Sequence, residues 1–522
     1  MSDFRYHSII EAMCSYASRK PTRMHMPGHK GRKAFSLNSS SAAISPGRAA
    51  SLLDELRAID MTESPGLDNL HYPTGCIRDT EERAARFFGS ARTFFLVNGA
   101  TSGIQASLLA VRMTLGPGTV VLPRNVHKSL VSAMVMSGLE PVFVWPEYEP
   151  RFGSYLPLDW PRVKEVLTEL VDKGEPVPRA VFVFNPTYSG FARDLTELSA
   201  EVYARGMALL VDEAHGTHFP VGEGLPPTAL RSGADLITHG AHKTTVAFTQ
   251  TAFLHVGVSA PRRFPDLLPA VEEALRAVQS TSPSYILMAS LEQAVQVLER
   301  DGGEWVNRGT RIAGELASRI GKIPGLSVAG YQNGGFPSGL MHDPSKVLVD
   351  LSGLGVGGPE AARYVVRKCA VVPEMVGPRY ILLLVSGAHG PADVDAVESA
   401  FKELADKFPG RGAAEPVAAG DGGDGDICSL LREIPHPTRV MELRRAFLSV
   451  SRPVPVEEAA GKIAADTVVI YPPGSPLITP GERIDRDVVE YILHARKAGL
   501  NVLGRGIRSG EGEMRVYCVA SS

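Results

Sequence analysis

Seven short apolar runs dominate the first half of this chain and fix what it can fold into. They are TFFLV (93–97), TVVLP (119–123), EPVFVW (140–145), AVFVF (180–184), MALLVD (207–212), ADLITH (234–239) and TAFLHV (251–256). Helix-length amphipathic segments such as SGIQASLLAVRMTLG and DLTELSAEVYARG lie between several of them. A run that is apolar throughout, rather than at alternate positions, is buried on both faces. Such strands, spaced by helices, predict a mainly parallel sheet covered by helices on both sides. In sheets of this kind ligands collect at the carboxyl ends of the strands.

A second, smaller α/β unit follows, with KVLVDLSG and RYILLLVSG as strands and ADVDAVESAFKELADKF as a helix. Residues 409–426, PGRGAAEPVAAGDGGDGD, are Gly, Ala, Pro and Asp with almost no large apolar side chain, the composition of a flexible linker. The tail beyond has its own apolar patterning (AADTVVIYPP, RDVVEYILHARKAGL). The expected division is an arm over 1–65, a large domain over 66–300, a small α/β domain over 301–408, a linker over 409–428 and an α+β domain over 429–522.

The strand ends carry the polar residues. TFFLV runs into Asn98-Gly99-Ala100-Thr101-Ser102-Gly103 and then a helix pattern. Free N–H groups, the helix dipole and two hydroxyls there can hold a phosphate, although an ordinary helix cap reads the same way. TVVLP leads to His127, a stacking or catalytic imidazole or else a structural one. MALLVD ends on Asp212-Glu213-Ala214-His215. A carboxylate at the end of a buried strand is expensive without a cation, which a protonated pyridine ring or a metal held by Asp212, His215 and His218 would supply. ADLITH leads to His242-Lys243, where the lysine is either a Schiff-base nucleophile or a solvated loop residue. Asp212 and Lys243 stand 31 residues apart, room for one helix and one strand. Taken together, a phosphate cup, an imidazole, a carboxylate and a lysine are the inventory that pyridoxal phosphate requires.

Composition removes other classes. With 54 Lys+Arg against 57 Asp+Glu, the net charge of −3 gives no basic footprint for nucleic acid or an anionic membrane. No apolar run is long enough to span a bilayer, and the N-terminus lacks a signal-peptide core. Five scattered cysteines without a CxxC pair suggest buried, inert thiols in a reducing, cytoplasmic compartment.

The ordered motifs resemble the ornithine/lysine/arginine decarboxylase family of the aspartate aminotransferase fold. The resemblance is carried by His25-Met26-Pro27-Gly28-His29-Lys30-Gly31, Gly66 to His71, Asn98 to Ser102, and Pro123 to Ser129. It continues through Asn185-Pro186-Thr187-Tyr188, Asp212 to Gly216, His242-Lys243 and Gln279 to Tyr285, then Tyr471-Pro472-Pro473-Gly474 and Pro480-Gly481-Glu482. It implies a pyridoxal-phosphate enzyme that removes the α-carboxylate of a basic amino acid. Lys243 would carry the cofactor and Asp212 would pair with its ring nitrogen. His127 would stack on the ring. Ala100, Thr101, Ser102 and His242 would surround the phosphate, with His215 beside the cofactor. Thr281 and Ser282 would reach the phosphate site of a neighbouring subunit, making the active unit at least a homodimer.

Two departures stand out. Gly240 occupies a position where many members have a phosphate-binding Ser. The His25 motif also begins too early for the receiver-like N-terminal domain of the large inducible members, which resembles the shorter biosynthetic branch. That branch favours arginine giving agmatine, with lysine and ornithine next. Asp68 and Glu482 are candidate carboxylates for the distal cation. The competing activities are an aminotransferase, with Arg379 as its carboxylate clamp, and a non-catalytic regulator that senses the cofactor.

Overall fold

The computed structural model describes residues 22–24, 68–149, 154–330, 336–410, 434–471, 474–497, 500–507 and 514–520. The motif from His25 to Gly31, Gly66-Leu67, Pro472-Pro473 and nearly all of the expected linker lie outside them.

All seven apolar runs become strands of one sheet: β1 (Arg92–Leu96), β2 (Thr119–Pro123), β3 (Glu140–Val144), β4 (Ala180–Phe184), β5 (Ala208–Asp212), β6 (Leu236–His239) and β7 (Ala252–Val256). Their spatial order is β1-β7-β6-β5-β4-β2-β3. Every pair is parallel except the two made by β7, which runs antiparallel to both β6 and β1. The mainly parallel α/β architecture read from the runs is therefore the one found. β5 and β7 are buried along their whole length, as strands packed on both faces must be. Each fully buried Val, Leu or Phe contributes about 1.5–3 kcal/mol of transfer free energy.

Helices cover the sheet. α1 (Cys76–Phe88) precedes β1, α2 (Gly99–Leu115) follows it, and α3 (Lys128–Ser137) follows β2. α2 ends at Gly116 (φ +78°) and α3 at Gly138 (φ +66°), where a residue with a Cβ would be strained. α4 (Leu267–Val278) packs along α2. α5 (Tyr285–Ile320), 36 residues long, begins at Ser284, whose hydroxyl accepts the Leu287 N–H. At about 1.5 Å per residue it spans roughly 54 Å. Its first half packs Met288, Leu291 and Val295 into the large-domain core, and its second half packs Ala313, Leu316 and Ile320 into the next one. The expected junction at 300–301 thus falls inside a single helix that both domains share.

The small domain is a four-stranded antiparallel sheet of β8 (Ser327–Val328), β9 (Lys346–Asp350), β10 (Met375–Val376) and β11 (Tyr380–Leu384), ordered β8-β9-β11-β10. Helices α6 (Gly358–Cys369) and α7 (Pro391–Lys407) back it. Of the expected arm, Thr22–Met24 pairs in parallel with Val371–Pro373 and so extends the small domain. The C-terminal domain combines two small sheets with the helix α8 (Arg486–Lys497) around its own core, the α+β unit expected. Among the described residues no helix is long and apolar enough to cross a membrane. Of the described cysteines, Cys518 is buried as expected, whereas Cys76 is exposed.

Candidate active site

The ends of β1, β2, β5 and β6 converge, and each delivers one of the expected side chains. Asp212 is the last residue of β5, in register with Phe184 of β4 and Thr238 of β6. It is 5% exposed, and its carboxylate accepts the Ala214 N–H at 3.1 Å. Among the described residues it forms no ion pair within contact distance. Burial pushes its carboxyl upward, against the opposing pull of Lys243 and His127. Its neighbour Glu213 points the other way and is fully engaged. It meets His239 Nε2 at 2.7 Å and accepts the Ala229 N–H at 2.9 Å. Alternation along an extended chain separates the two acids: Glu213 is spent on the fold and Asp212 is left for something else.

Lys243 sits in the short helical turn Ala241–Thr244 after β6. Burial pushes its ammonium down to about 8. Lys346 pushes the same way, while Asp212 and Glu374 oppose. His127 caps α3, its Nδ1 accepting the Ser129 N–H at 3.2 Å and facing the Ser129 hydroxyl at 2.8 Å. Nδ1 is therefore the acceptor, and the ring proton sits on Nε2. Burial holds this imidazole below its ordinary range, against the Asp212 charge. His242 donates from Nδ1 to the Thr251 carbonyl at 2.9 Å, which fixes its ring beside Lys243.

The first turn of α2 presents Gly99, Ala100, Thr101 and Ser102. Its cap residue Asn98 makes no side-chain bond to the helix, and its Oδ1 instead accepts the Ser280 N–H at 3.3 Å. The Ser102 hydroxyl donates to the Gly99 carbonyl at 2.8 Å. Thr101 is exposed, as are Thr281 and Ser282, so the last two are not folded into this chain's own site.

His215, expected beside the cofactor, lies between two lysines. Its Nε2 is 2.9 Å from Lys243 Nζ and its Nδ1 is 2.8 Å from Lys346 Nζ. Lys346 was not among the expected residues. It opens β9 of the small domain and is 1% exposed. Tyr188 packs edge-on against His215 at 4.6 Å and donates to Glu374 Oε1 at 2.7 Å. The signal available was the strand KVLVD itself, since a lysine heading a buried strand needs a reason to be there.

Gly240 explains its own departure. A Cβ there would stand 2.7 Å from the Ala214 carbonyl oxygen and 3.1 Å from Lys243 Cδ. The chain uses that space for the lysine stem and leaves none for a serine.

The two candidate carboxylates for a distal cation are committed elsewhere. Asp68 accepts the N–H groups of Asn69, Thr74, Gly75, Ile77 and Arg78, so it anchors the start of α1. Burial works against its charge, but these donors hold the carboxyl below its ordinary value. Glu482 makes a bidentate pair with Arg124, at 2.6 and 2.8 Å, both residues almost fully buried. Arg124 also donates to the Pro476 and Leu477 carbonyls. This cluster ties the C-terminal domain to the end of β2, three residues before His127. Trp145 and His436 stack beside it at 4.0 Å. Arg379 precedes β11 at the Asp350 end, whereas Lys346 pairs with Leu384 at the other end. At about 3.4 Å per residue, that puts Arg379 more than 10 Å along the sheet from the site. The alternative metal set does not converge either: His218 faces Asp343 at 3.3 Å while His215 is held by the lysines, and no group of three or more such ligands forms among the described residues.

This geometry fits pyridoxal phosphate. Among the described residues a buried carboxylate has no ion pair and a helix start has no side-chain cap, and a lysine beside them is poised to lose its proton. Residues 8–320 match the family described as Orn/Lys/Arg decarboxylase, major domain, and residues 435–519 match its C-terminal domain. The chain belongs to the Orn/Lys/Arg decarboxylase family. Its relatives include proteins that match almost end to end. It is 32% identical to an arginine decarboxylase of Bacillus anthracis over 95% of this chain and 94% of that one. It is 31% identical to the arginine decarboxylase of Bacillus subtilis over 95% of each. Among solved structures, lysine decarboxylase A of Pseudomonas aeruginosa superposes with a TM-score of 0.71 at 19% identity. That match covers 98% of this chain and 81% of the other, and it supports the fold assignment.

Proposed function

We propose that this chain is a pyridoxal-phosphate-dependent arginine decarboxylase that forms agmatine and carbon dioxide. The observation that carries the reading is Asp212, a buried carboxylate with no ion pair among the described residues, set at a strand end beside Lys243 and His127. When bound, the cofactor supplies a cationic ring that accepts the electron pair released as the α-carboxylate departs. Asp212 holds the proton on the ring nitrogen. Lys243, as free base, provides the amine that holds the cofactor and then moves a proton at the substrate Cα. His127, kept neutral, offers a flat face for the ring, and the start of α2 holds the phosphate. Burial excludes water and strengthens the Asp212 interaction. The end-to-end similarity to arginine decarboxylases of two Bacillus species supports arginine over lysine or ornithine.

Thr281 and Ser282, exposed next to the chain that braces α2, support a second copy placing its phosphate site against them. The test supplies arginine, lysine and ornithine separately to cofactor-loaded protein and follows carbon dioxide and amine release. Agmatine from arginine is the expected product. Release from lysine alone would move the substrate, and a keto acid in place of carbon dioxide would overturn the reaction class. Mixing Lys243→Ala with Ser282→Ala protein tests the shared site. Activity above that of either variant alone supports it.

A further inference from the structure

Lys346, His215 and Lys243 form a line of three nitrogen-bearing side chains, with contacts of 2.8 and 2.9 Å. Their proton inventory is constrained. A neutral imidazole carries one N–H and one lone pair, whereas an ammonium group can only donate. If both lysines were charged, both ring nitrogens would have to accept, which a neutral imidazole cannot do. One lysine therefore donates to the ring, and the other receives the ring's N–H on its own lone pair.

The surroundings decide which is which. Burial pushes the Lys346 ammonium down as it does that of Lys243, but Lys346 faces the carboxylates Glu374 and Asp343, which oppose, with the imidazole of His342 also nearby. Asp343 is itself firmly ionised, its carboxyl held at about 2: burial opposes that charge, but His218 and Lys346 outweigh it. Lys243 faces Asp212, Glu374 and the charge of Lys346, with His127 and His242 beside it. His215 stays neutral chiefly because burial pushes its proton off, and the charge of Lys346 adds to that push. The arrangement is also built for close approach. Gly190, at φ +94°, leaves room where a Cβ would come within 2.8 Å of Lys346 Cβ and Cγ. The Asp343 N–H bonds the Gly190 carbonyl at 2.8 Å, and Met341–His342 pairs with Phe191–Ala192. The small domain is thereby locked to the segment after β4 at the place where it delivers Lys346.

We propose that Lys346 is a positioning residue: its ammonium donates to His215 Nδ1, so that His215 Nε2–H points at Lys243 and keeps that amine a free base, ready to take the cofactor. This rests on the cofactor reading above. It assigns to the small domain a part in arming the lysine of the large one.

The test reads the lysine rather than turnover. In the cofactor-free protein, acylation of Lys243 followed by peptide mass spectrometry gives a rate-against-pH curve with an expected midpoint near pH 8. In Lys346→Met the midpoint should move up by about one pH unit, cutting labelling at pH 7 roughly tenfold. Lys346→Arg, which keeps the charge, should hold the midpoint close to pH 8. An unmoved midpoint in folded Lys346→Met protein would overturn the proposal. Selective nitrogen-15 labelling of histidine gives a check that needs no variant. His215 should carry its proton on Nε2, and the opposite tautomer would defeat the idea whatever the variants do. Absence of carbon dioxide release from every substrate would defeat the functional reading while leaving both of these results standing.

Discussion

Only two residues separate Arg124 from His127, yet the regions they serve are built on opposite plans. Around Arg124 charge is saturated. Its guanidinium meets both oxygens of Glu482 and two carbonyls, and the C-terminal domain is held by that closed set. Around His127 charge is left unsaturated. Among the described residues Asp212 has one backbone donor and no ion pair, Lys243 has no ion pair, and the first turn of α2 has no side-chain cap. A joint is stable when every buried polar group has its partner, whereas a site binds because some do not. The difference teaches where loss of a side chain should harm folding and where it should harm only chemistry.

The largest effect tests the open side. Lys243→Ala should lower turnover by roughly a millionfold, the scale seen when a covalent nucleophile is removed. Its thermal midpoint should be unchanged or raised, because a buried amine has gone. A large drop in thermal midpoint would show that the site is structural after all. Next comes the closed side. Glu482→Gln leaves Arg124 buried without its counter-charge and should cost about 3–5 kcal/mol in denaturant unfolding. A loss below about 1 kcal/mol would mean that the joint is not closed. Asp212→Asn should retain cofactor and stability but lose about a hundredfold in rate, the size expected when one preorganised electrostatic contact is removed. Clear destabilisation there would erase the contrast. The smallest effect is that of Gly240→Ser, whose Cβ has to displace either the Ala214 carbonyl or the Lys243 stem. A cost of about 1–3 kcal/mol is expected, and a stabilised variant would refute the steric account of this glycine.

Much of this was legible in the chain. The seven runs are apolar at successive rather than alternate positions, a pattern that suits a doubly covered strand, and all seven entered one sheet. Asp212, Lys243 and His127 could be picked out as candidates because each lies at, or about four residues beyond, the end of such a run, where the strand's own end fixes its place. What escaped depends on contacts far apart in sequence. Lys346 reaches His215 across 131 residues, and nothing local marks that meeting. Asp68 and Glu482 looked available because their donors, a loop of N–H groups and Arg124, are brought to them only by the fold. The shared helix α5 runs straight through Gly302-Gly303, residues with low helix propensity. Gly302 lets Val221 approach, and Gly309 lies against the backbone of Ser386 and Gly387.

The adjacent acids at the end of β5 have one more consequence. A strand slipped by a single residue exchanges its two faces. Such a slip would turn Glu213 toward the site and Asp212 toward His239, giving each destination an acid of the wrong length. A misregistered sheet would still bury two carboxylates at the same depth, but the shorter Asp212 would fall short of His239 and of the Ala229 N–H that Glu213 reaches. The pair therefore acts as a register key: the geometry that arms the site is also the one in which the neighbouring acid finds its partners.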